Sequence, residues 1–377
     1  MAALALGSVA LLILGLQPLL LGELAAHKRI SLEGVGLVAM SEIITLGIGV
    51  ILGNTLLSPA RLSGVTTVGA ALLVVLNLLT MRLDGDVQFF LVRACAGLVA
   101  GVLVWVTTSV IVRTAAPDRL AAVFLVSQTL SQATAAAFLA AVIVPRGGWP
   151  GGFAVLAALS AALLAVAPLL RPGLAPLASA GSGLPPLSVA TVVTFGVILA
   201  QMGAIGALWA YLDPLSRGVG LTGTEVGALI STVLLMQVIG GSTAAWAVRR
   251  LGACSVLMTA SVLLGSLALD MHGQPPAALF CALCGSFGFV WLFLMPFQVR
   301  LALSADPAGR VAVLVPAVQL LGVAVGPLLA SLLFVTDDDA RPVPLVCAGF
   351  ALAALGLLLL GRGRFDTEKS VQHLAEK

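Results

Sequence analysis

Long apolar runs, each about as long as a bilayer crossing, alternate along this chain with short breaks carrying Arg, Pro, Gly and Asx residues. A helix needs roughly 20 apolar residues to cross the hydrocarbon core. Cutting the chain at its breaks leaves twelve such stretches, approximately 3–26, 34–57, 63–81, 87–112, 119–144, 149–170, 188–212, 225–248, 253–270, 276–299, 311–335 and 343–361. The longest break, RPGLAPLASAGSGLPPLS from Arg171 to Ser188, is rich in Pro, Gly and Ser and divides the spans six and six. It reads as a linker. The pattern therefore predicts an all-α membrane protein of two six-helix bundles, 1–170 and 188–362, joined by a linker at 171–187 and followed by a tail at 363–377.

Composition agrees: 60% of the residues are hydrophobic and only 9% are charged, against about a quarter charged in soluble domains. The net charge of +3 is small and scattered, which excludes a nucleic-acid binder. MAALALGSVALLILG has no basic region ahead of its apolar run, so it reads as a retained first span rather than a signal peptide. With the N-terminus inside, Arg61, Arg113, Arg119, Arg171, Arg249, Arg250, Arg300, Arg310, Arg362, Arg364, Lys369 and Lys377 are cytoplasmic. Half as many basic residues (Lys28, Arg29, Arg82, Arg146, Arg217 and Arg341) lie outside, a bias that places both termini in the cytoplasm. The histidines, His27, His272 and His373, lie in loops and the tail, away from any nucleophile–base pair or metal-spaced set. Cys281 and Cys284 form a CxxC with no second pair, and there is no Walker loop. The expectation is a protein that is not an enzyme, has no cofactor and does not use ATP.

The two halves resemble each other at one offset of 191 residues. Ser31 maps to Thr222, Val35-Gly36 to Val226-Gly227, Gly49 to Gly240 and Gly97 to Gly288. Arg119 with Gln128 nine residues on maps to Arg310 with Gln319. Two similar six-span halves around a linker is the build of parallel-repeat secondary transporters.

The chain here resembles the major facilitator superfamily over nearly its whole length. Arg93-Ala-Cys-Ala-Gly97-Leu-Val-Ala-Gly101 is similar to the family's span-4 motif, Pro117-Asp118-Arg119 and Asp306-Pro-Ala-Gly309-Arg310 to its loops before spans 5 and 11, and Gly322-Val-Ala-Val-Gly326-Pro327 to its span-11 signature. There are departures. The loop after span 2, LLSPARLSG, keeps Arg61 of the family's GxLaDRxG pattern and lacks its Asp, and AVRRLG after span 8 lacks the acid too. Span 5, SQTLSQATAAAF, lacks the Gly-Pro typical of the family's drug/proton antiporters. The resemblance implies alternating access between two bundles, a monomer, a cavity lined by spans 1, 4, 7 and 10, and a proton-coupling role for Arg93.

The buried charges sharpen this. Glu42 lies about 16 Å below the predicted N-cap Ser31, near mid-membrane, and Arg93 lies about 10 Å deep in span 4. Glu23, near the outer end of span 1, is the rival partner for Arg93; the structural or interfacial reading is preferred for it, because it can snorkel outward. An unpaired charge at this depth costs about 2.5–3.5 kcal/mol on insertion scales. Two readings of the Glu42–Arg93 pair stand side by side: a proton-coupling and charge-recognition centre, or a permanent structural ion pair. Seven glutamines lie in spans: Gln17, Gln128, Gln132, Gln201, Gln237, Gln298 and Gln319. The family's cavity makes Gln17 and Gln201 substrate contacts, while the symmetric Gln128 and Gln319 are either contacts or interhelical bonds. Trp291 either stacks on a substrate or packs on a neighbouring helix. Trp149, Trp209, Tyr211 and Trp246, at span ends, read as interface anchors. Asp337, Asp338 and Asp339 read as a solvated charge run.

The expected function is secondary transport of a small organic solute in the inner membrane, coupled to protons. A lone cavity Arg93 favours an organic anion. The alternative is a proton-coupled exporter of hydrophobic compounds; a non-transporting receptor of the same fold is the third possibility.

Overall fold

The computed structural model describes residues 1–114, 117–170, 188–307, 309–332, 334 and 339–375, the side chains of 59, 117, 118 and 362–375 excepted. The linker at 171–187, Asp337 and Asp338 lie outside the described residues. Fourteen α-helices follow one another among these residues: α1 (Ala2–Ala10), α2 (Leu12–Ala26), α3 (Leu32–Leu56), α4 (Leu62–Thr80), α5 (Asp86–Ile111), α6 (Pro117–Phe138), α7 (Val144–Val166), α8 (Val189–Ala210), α9 (Leu212–Gly218), α10 (Gly223–Ala247), α11 (Ala253–His272), α12 (Ala277–Ala305), α13 (Arg310–Ser331) and α14 (Val343–Ala375).

Eleven stretches among the described residues are long and apolar enough to cross a membrane, making this a multi-pass integral membrane protein. One of them, Arg119–Leu169, is 51 residues long. Straight, it would reach about 76 Å, more than twice the hydrocarbon core. A π-helical stretch at Leu139–Ile143 and the non-helical Gly148 (φ 57°) interrupt it. The last helix continues past its apolar window, which ends at Gly361, as far as Ala375, through most of the segment expected as a tail.

Helix starts are capped as their residues dictate. Ser31 Oγ accepts from the Gly34 N–H at 2.9 Å, and the Asp86 carboxylate accepts from both the N–H and the hydroxyl of Ser31, which ties the start of α3 to that of α5. Thr222 and Glu225 form a capping box on α10.

The 191-residue offset holds in the packing. Gly49 of α3 lies against the Leu98 carbonyl of α5; its counterpart Gly240 of α10 lies against the Phe289 carbonyl of α12. Gly97 meets the Glu42 carbonyl and Gly288 the Val233 carbonyl, again matched pairs. A side chain at any of these positions would collide with backbone, so glycine sets the close α3–α5 and α10–α12 crossings.

The halves meet by the same rule. Gly36, near the start of α3, lies against Pro327 and Ser331 of α13; Gly227, near the start of α10, lies against Ala140. Both contacts are at the end of the molecule away from Met1, here the distal end. The larger apolar core runs through both halves. The buried members of the second core, from Ala3 to Leu170, all come from the first half. The halves therefore share one core distally and part towards the end that carries Met1.

Candidate functional site

Two polar centres are buried in this apolar frame. The first is in the N-terminal half, where Arg93 (3% exposed) donates through Nη2 to Glu42 Oε1 (1% exposed) and through Nη1 to Asn77 Oδ1 at 2.9 Å. Asn77 in turn donates to Ser160 Oγ at 3.5 Å, and the guanidinium lies 5.3 Å from the centre of the Phe153 ring. Arg93 is thus held from α3, α4 and α7 at once. Gln17 of α2 turns its amide towards the Glu42 carboxylate. Three buried atoms here carry no hydrogen bond: Gln17 Nε2, Glu42 Oε2 and Arg93 Nε. Such atoms are rare in apolar surroundings because each costs its full desolvation. Glu42, Arg93 and Gln17 are brought together; the sequence paired the first two and placed Gln17 among the substrate contacts.

The second centre is a row of amides in the other half. Gln319 of α13 donates to Gln298 Oε1 of α12 at 2.8 Å, and Gln298 donates to Gln201 Oε1 of α8 at 3.0 Å. Gln201 donates to the Leu257 carbonyl and to Ser261 Oγ of α11. The Ser261 hydroxyl hydrogen goes to the Leu257 carbonyl at 2.9 Å, so its oxygen must accept, and this sets the direction of every amide above it. Gln201 and Gln298 are fully buried, while Gln319 is 9% exposed at the tip. The Gln319 carbonyl oxygen accepts no hydrogen bond among the described residues. Sequence reading counted Gln298 among the amides without singling it out, yet it is the link between Gln201 and Gln319.

The remaining candidates fall elsewhere. Gln128, half-buried on α6, makes no hydrogen bond to a described residue; its neighbour one turn on, Gln132, donates to the Leu11 carbonyl at 2.7 Å, where α1 breaks into α2. Trp291 packs edge-to-face on Trp209, ring centres 5.3 Å apart, and against Phe287. Glu23 does not snorkel outward and does not pair with Arg93. It is 5% exposed and accepts from Arg217 at 2.5 Å across the halves. Arg217 also pairs with Asp213 at 2.6 Å, one turn earlier on α9. Burial pushes the Asp213 carboxyl up to about 6, with Glu23 adding to the rise and Arg217 opposing it.

Three of the four expected interface aromatics are buried instead. Trp149 packs between Phe89 and Phe153. Trp209 donates from Nε1 to the Leu14 carbonyl at 2.8 Å, and Tyr211 donates its hydroxyl to the Leu32 carbonyl at 2.9 Å. Both bonds cross from the second half to the first. Only Trp246, 59% exposed with Arg250 over its ring, keeps an outward-facing position.

No protein-family profile and no curated protein matches the chain. Solved structures do. The nucleoside transporter NupG aligns over 95% of this chain and 98% of its own at a TM-score of 0.77 and 12% identity. The xylose transporter XylE from E. coli aligns over 96% and 98% at 0.69 and 12% identity. A bacterial homolog of the human lysosomal transporter Spinster aligns over 97% and 95% at 0.66 and 13% identity. The chain has the major facilitator superfamily fold.

Proposed function

We propose that this protein is a secondary transporter of a small organic anion, coupled to protons and working by alternating access between bundles 1–170 and 188–362. It carries twelve spans with both termini in the cytoplasm, acts as a monomer, and sits in the inner membrane. The observation that carries the reading is the charge balance around Arg93: Glu42 is its only anionic partner among the described residues. A proton on Glu42 strands a buried guanidinium, which is costly in this medium. An anionic solute restores neutrality, so proton and anion move together. Gln17 Nε2 and Arg93 Nε are the free donors closest to that exchange. On the opposite side, the Gln319 carbonyl takes a hydroxyl or N–H from the neutral part of the solute. The nucleoside and xylose transporters of the same fold support a solute of this size.

A second reading has one observation in its favour. A groove of about 830 Å³ between α1, α6 and α7 is lined mostly by apolar side chains, among them Leu4, Leu12, Leu130, Phe138 and Leu159, with hydroxyls from Ser8, Ser127, Ser131 and Thr134 between them. A hydrophobic compound would fit it, in keeping with an exporter.

The deciding experiment is uptake of radiolabelled small carboxylates into proteoliposomes under an imposed pH gradient, with lipophilic cations as the second panel. Carboxylate accumulation driven by external acid, lost in Glu42→Gln and Arg93→Ala, is the expected result. Cation extrusion lost in Glu42→Gln alone replaces this reading with the exporter, and transport that survives both substitutions makes the pair structural.

A further inference from the structure

Proline at position 18 has a consequence outside its own helix. It has no N–H, so the Leu14 carbonyl one turn back has no helical donor, and the proline ring crowds that carbonyl outward. A buried carbonyl in an apolar span must find another partner. Its partner is Trp209 Nε1 at 2.8 Å, from the other half of the molecule. Moving towards the distal end, the segment from Trp209 to Arg217 makes two more bonds of this kind: Tyr211 to the Leu32 carbonyl, and Arg217 to Glu23. Gly22 leaves room for Asp213 to press against α2.

The last rung has an unbalanced charge. Glu23 and Asp213, 5% and 0% exposed, share one guanidinium, so the closed cluster buries one negative charge in excess. Parting the halves would take Glu23 away from Arg217 and give Asp213 to water. The charged groups facing the cluster are His27, with Nδ1 3.6 Å from Glu23 Oε2, and Lys28, Arg29, Asp84 and Asp86 around a distal vestibule of about 990 Å³. Arg29 pairs with Asp84, and Asp86 is engaged by Ser31. Glu225, at the start of α10, is occupied by Thr222.

We propose that the segment from Trp209 to Arg217 is a distal gate that acid tightens, because a proton taken up by the Glu23–Asp213–Arg217 cluster removes the excess negative charge that closure buries. The sign follows from linkage. Closed, the Asp213 carboxyl titrates at about 6; exposed, it returns to its ordinary value near 3.8. The closed form binds the proton more tightly, so closure is favoured as pH falls through 6 and weakened as pH rises through it. The gate uses the two-bundle arrangement of the proposed transporter but needs neither its solute nor Glu42.

The test is pulsed EPR on the full chain in nanodiscs without solute, its native cysteines replaced and nitroxides placed at Arg82 and Ala278, both exposed at the distal end. The closed-to-open ratio is expected to fall about tenfold between pH 5 and pH 7. Asp213→Asn should stay closed and lose that dependence, Glu23→Gln, which also removes the excess charge, should stay closed with a weaker dependence, and Glu42→Gln should behave as wild type. A single distance at every pH, a response of the opposite sign, or an unchanged response in Asp213→Asn overturns the proposal. So does loss of the response in Glu42→Gln, which would assign it to the coupling pair. Failed solute transport with this response intact would fault the transport reading alone.

Discussion

Glu42 and Val233 occupy the same place in the two halves: each turns its backbone carbonyl to a glycine of the partner helix, Gly97 for Glu42 and Gly288 for Val233. The 191-residue offset that relates them also relates Arg93 to Cys284, which is fully buried. The fold thus accepts an apolar pair where the first half keeps an ion pair, so close packing of α3 on α5 does not require the charges.

That comparison makes the ion pair testable by transplantation. Glu42→Val alone leaves Arg93 buried without its counter-charge, and the expected loss of stability is about 3–5 kcal/mol. Adding Arg93→Cys, which reproduces the second half's pair, should restore most of it. The measurement is a double-mutant cycle by reversible unfolding in detergent. Proton-driven uptake should be absent from the single and the double variant alike. A double variant as unstable as the single would show that Asn77 and Phe153 depend on Arg93 for more than charge balance.

The glycine crossings make a second pair of forecasts. Gly97→Ala puts a methyl group into the Glu42 carbonyl and Thr45 Oγ1, and Gly288→Ala puts one into the Val233 carbonyl. Both should lower the melting temperature. Gly47→Ala, on the same helix as Glu42 but with nothing within 4 Å of the new carbon, should raise stability by about 0.5–1 kcal/mol through helix propensity. Equal effects at Gly47 and Gly97 would contradict the packing described.

Much of this was legible in the sequence, and the limits have physical causes. Span lengths follow from the bilayer's thickness, and the repeat shows because packing glycines tolerate no replacement. The partnership of Glu42 with Arg93 was expected from depth and from the scarcity of other buried charges, with Glu23 as the rival. Asn77, Phe153 and Ser160, which hold Arg93 from behind, are ordinary span residues whose relation to it is tertiary. Trp209 and Tyr211 sit at a span end, where an aromatic that anchors to headgroups and one that reaches the other half look alike. Arg217 read as an outer loop charge for the same reason. The unpaired carbonyl of Leu14 could be read from Pro18, but not which residue would cover it.

The amide row should separate stability from recognition. Gln298→Leu leaves Gln201 Oε1 and the Gln319 amide without partners, and about 1–3 kcal/mol of stability should be lost. Gln128→Leu breaks no hydrogen bond among the described residues and should be close to neutral. Gln319→Leu removes the tip while Gln201 keeps its bond from Gln298. It should weaken solute binding in a thermal-shift titration more than it weakens the fold. If Gln319→Leu and Gln298→Leu reduce stability equally and leave solute binding intact, the row is scaffolding.

Pro18 and Trp209 give the last forecast, in which helix stability and gate stability move in opposite directions. Pro18→Ala restores an N–H at position 18, and the Leu14 carbonyl gains a helical donor that competes with Trp209. Replacing an interior proline favours the α2 helix, yet the same change removes the reason for the bond between the halves. The closed fraction read from the distal labels should therefore fall while the melting temperature holds or rises. Trp209→Phe keeps a ring against Trp291 but loses the indole N–H. In the Pro18→Ala background it should cost the gate almost nothing, whereas in the wild-type chain it strands the Leu14 carbonyl and should cost about 1 kcal/mol. Additive effects of the two substitutions would mean that the Trp209 bond does not depend on the carbonyl Pro18 leaves free.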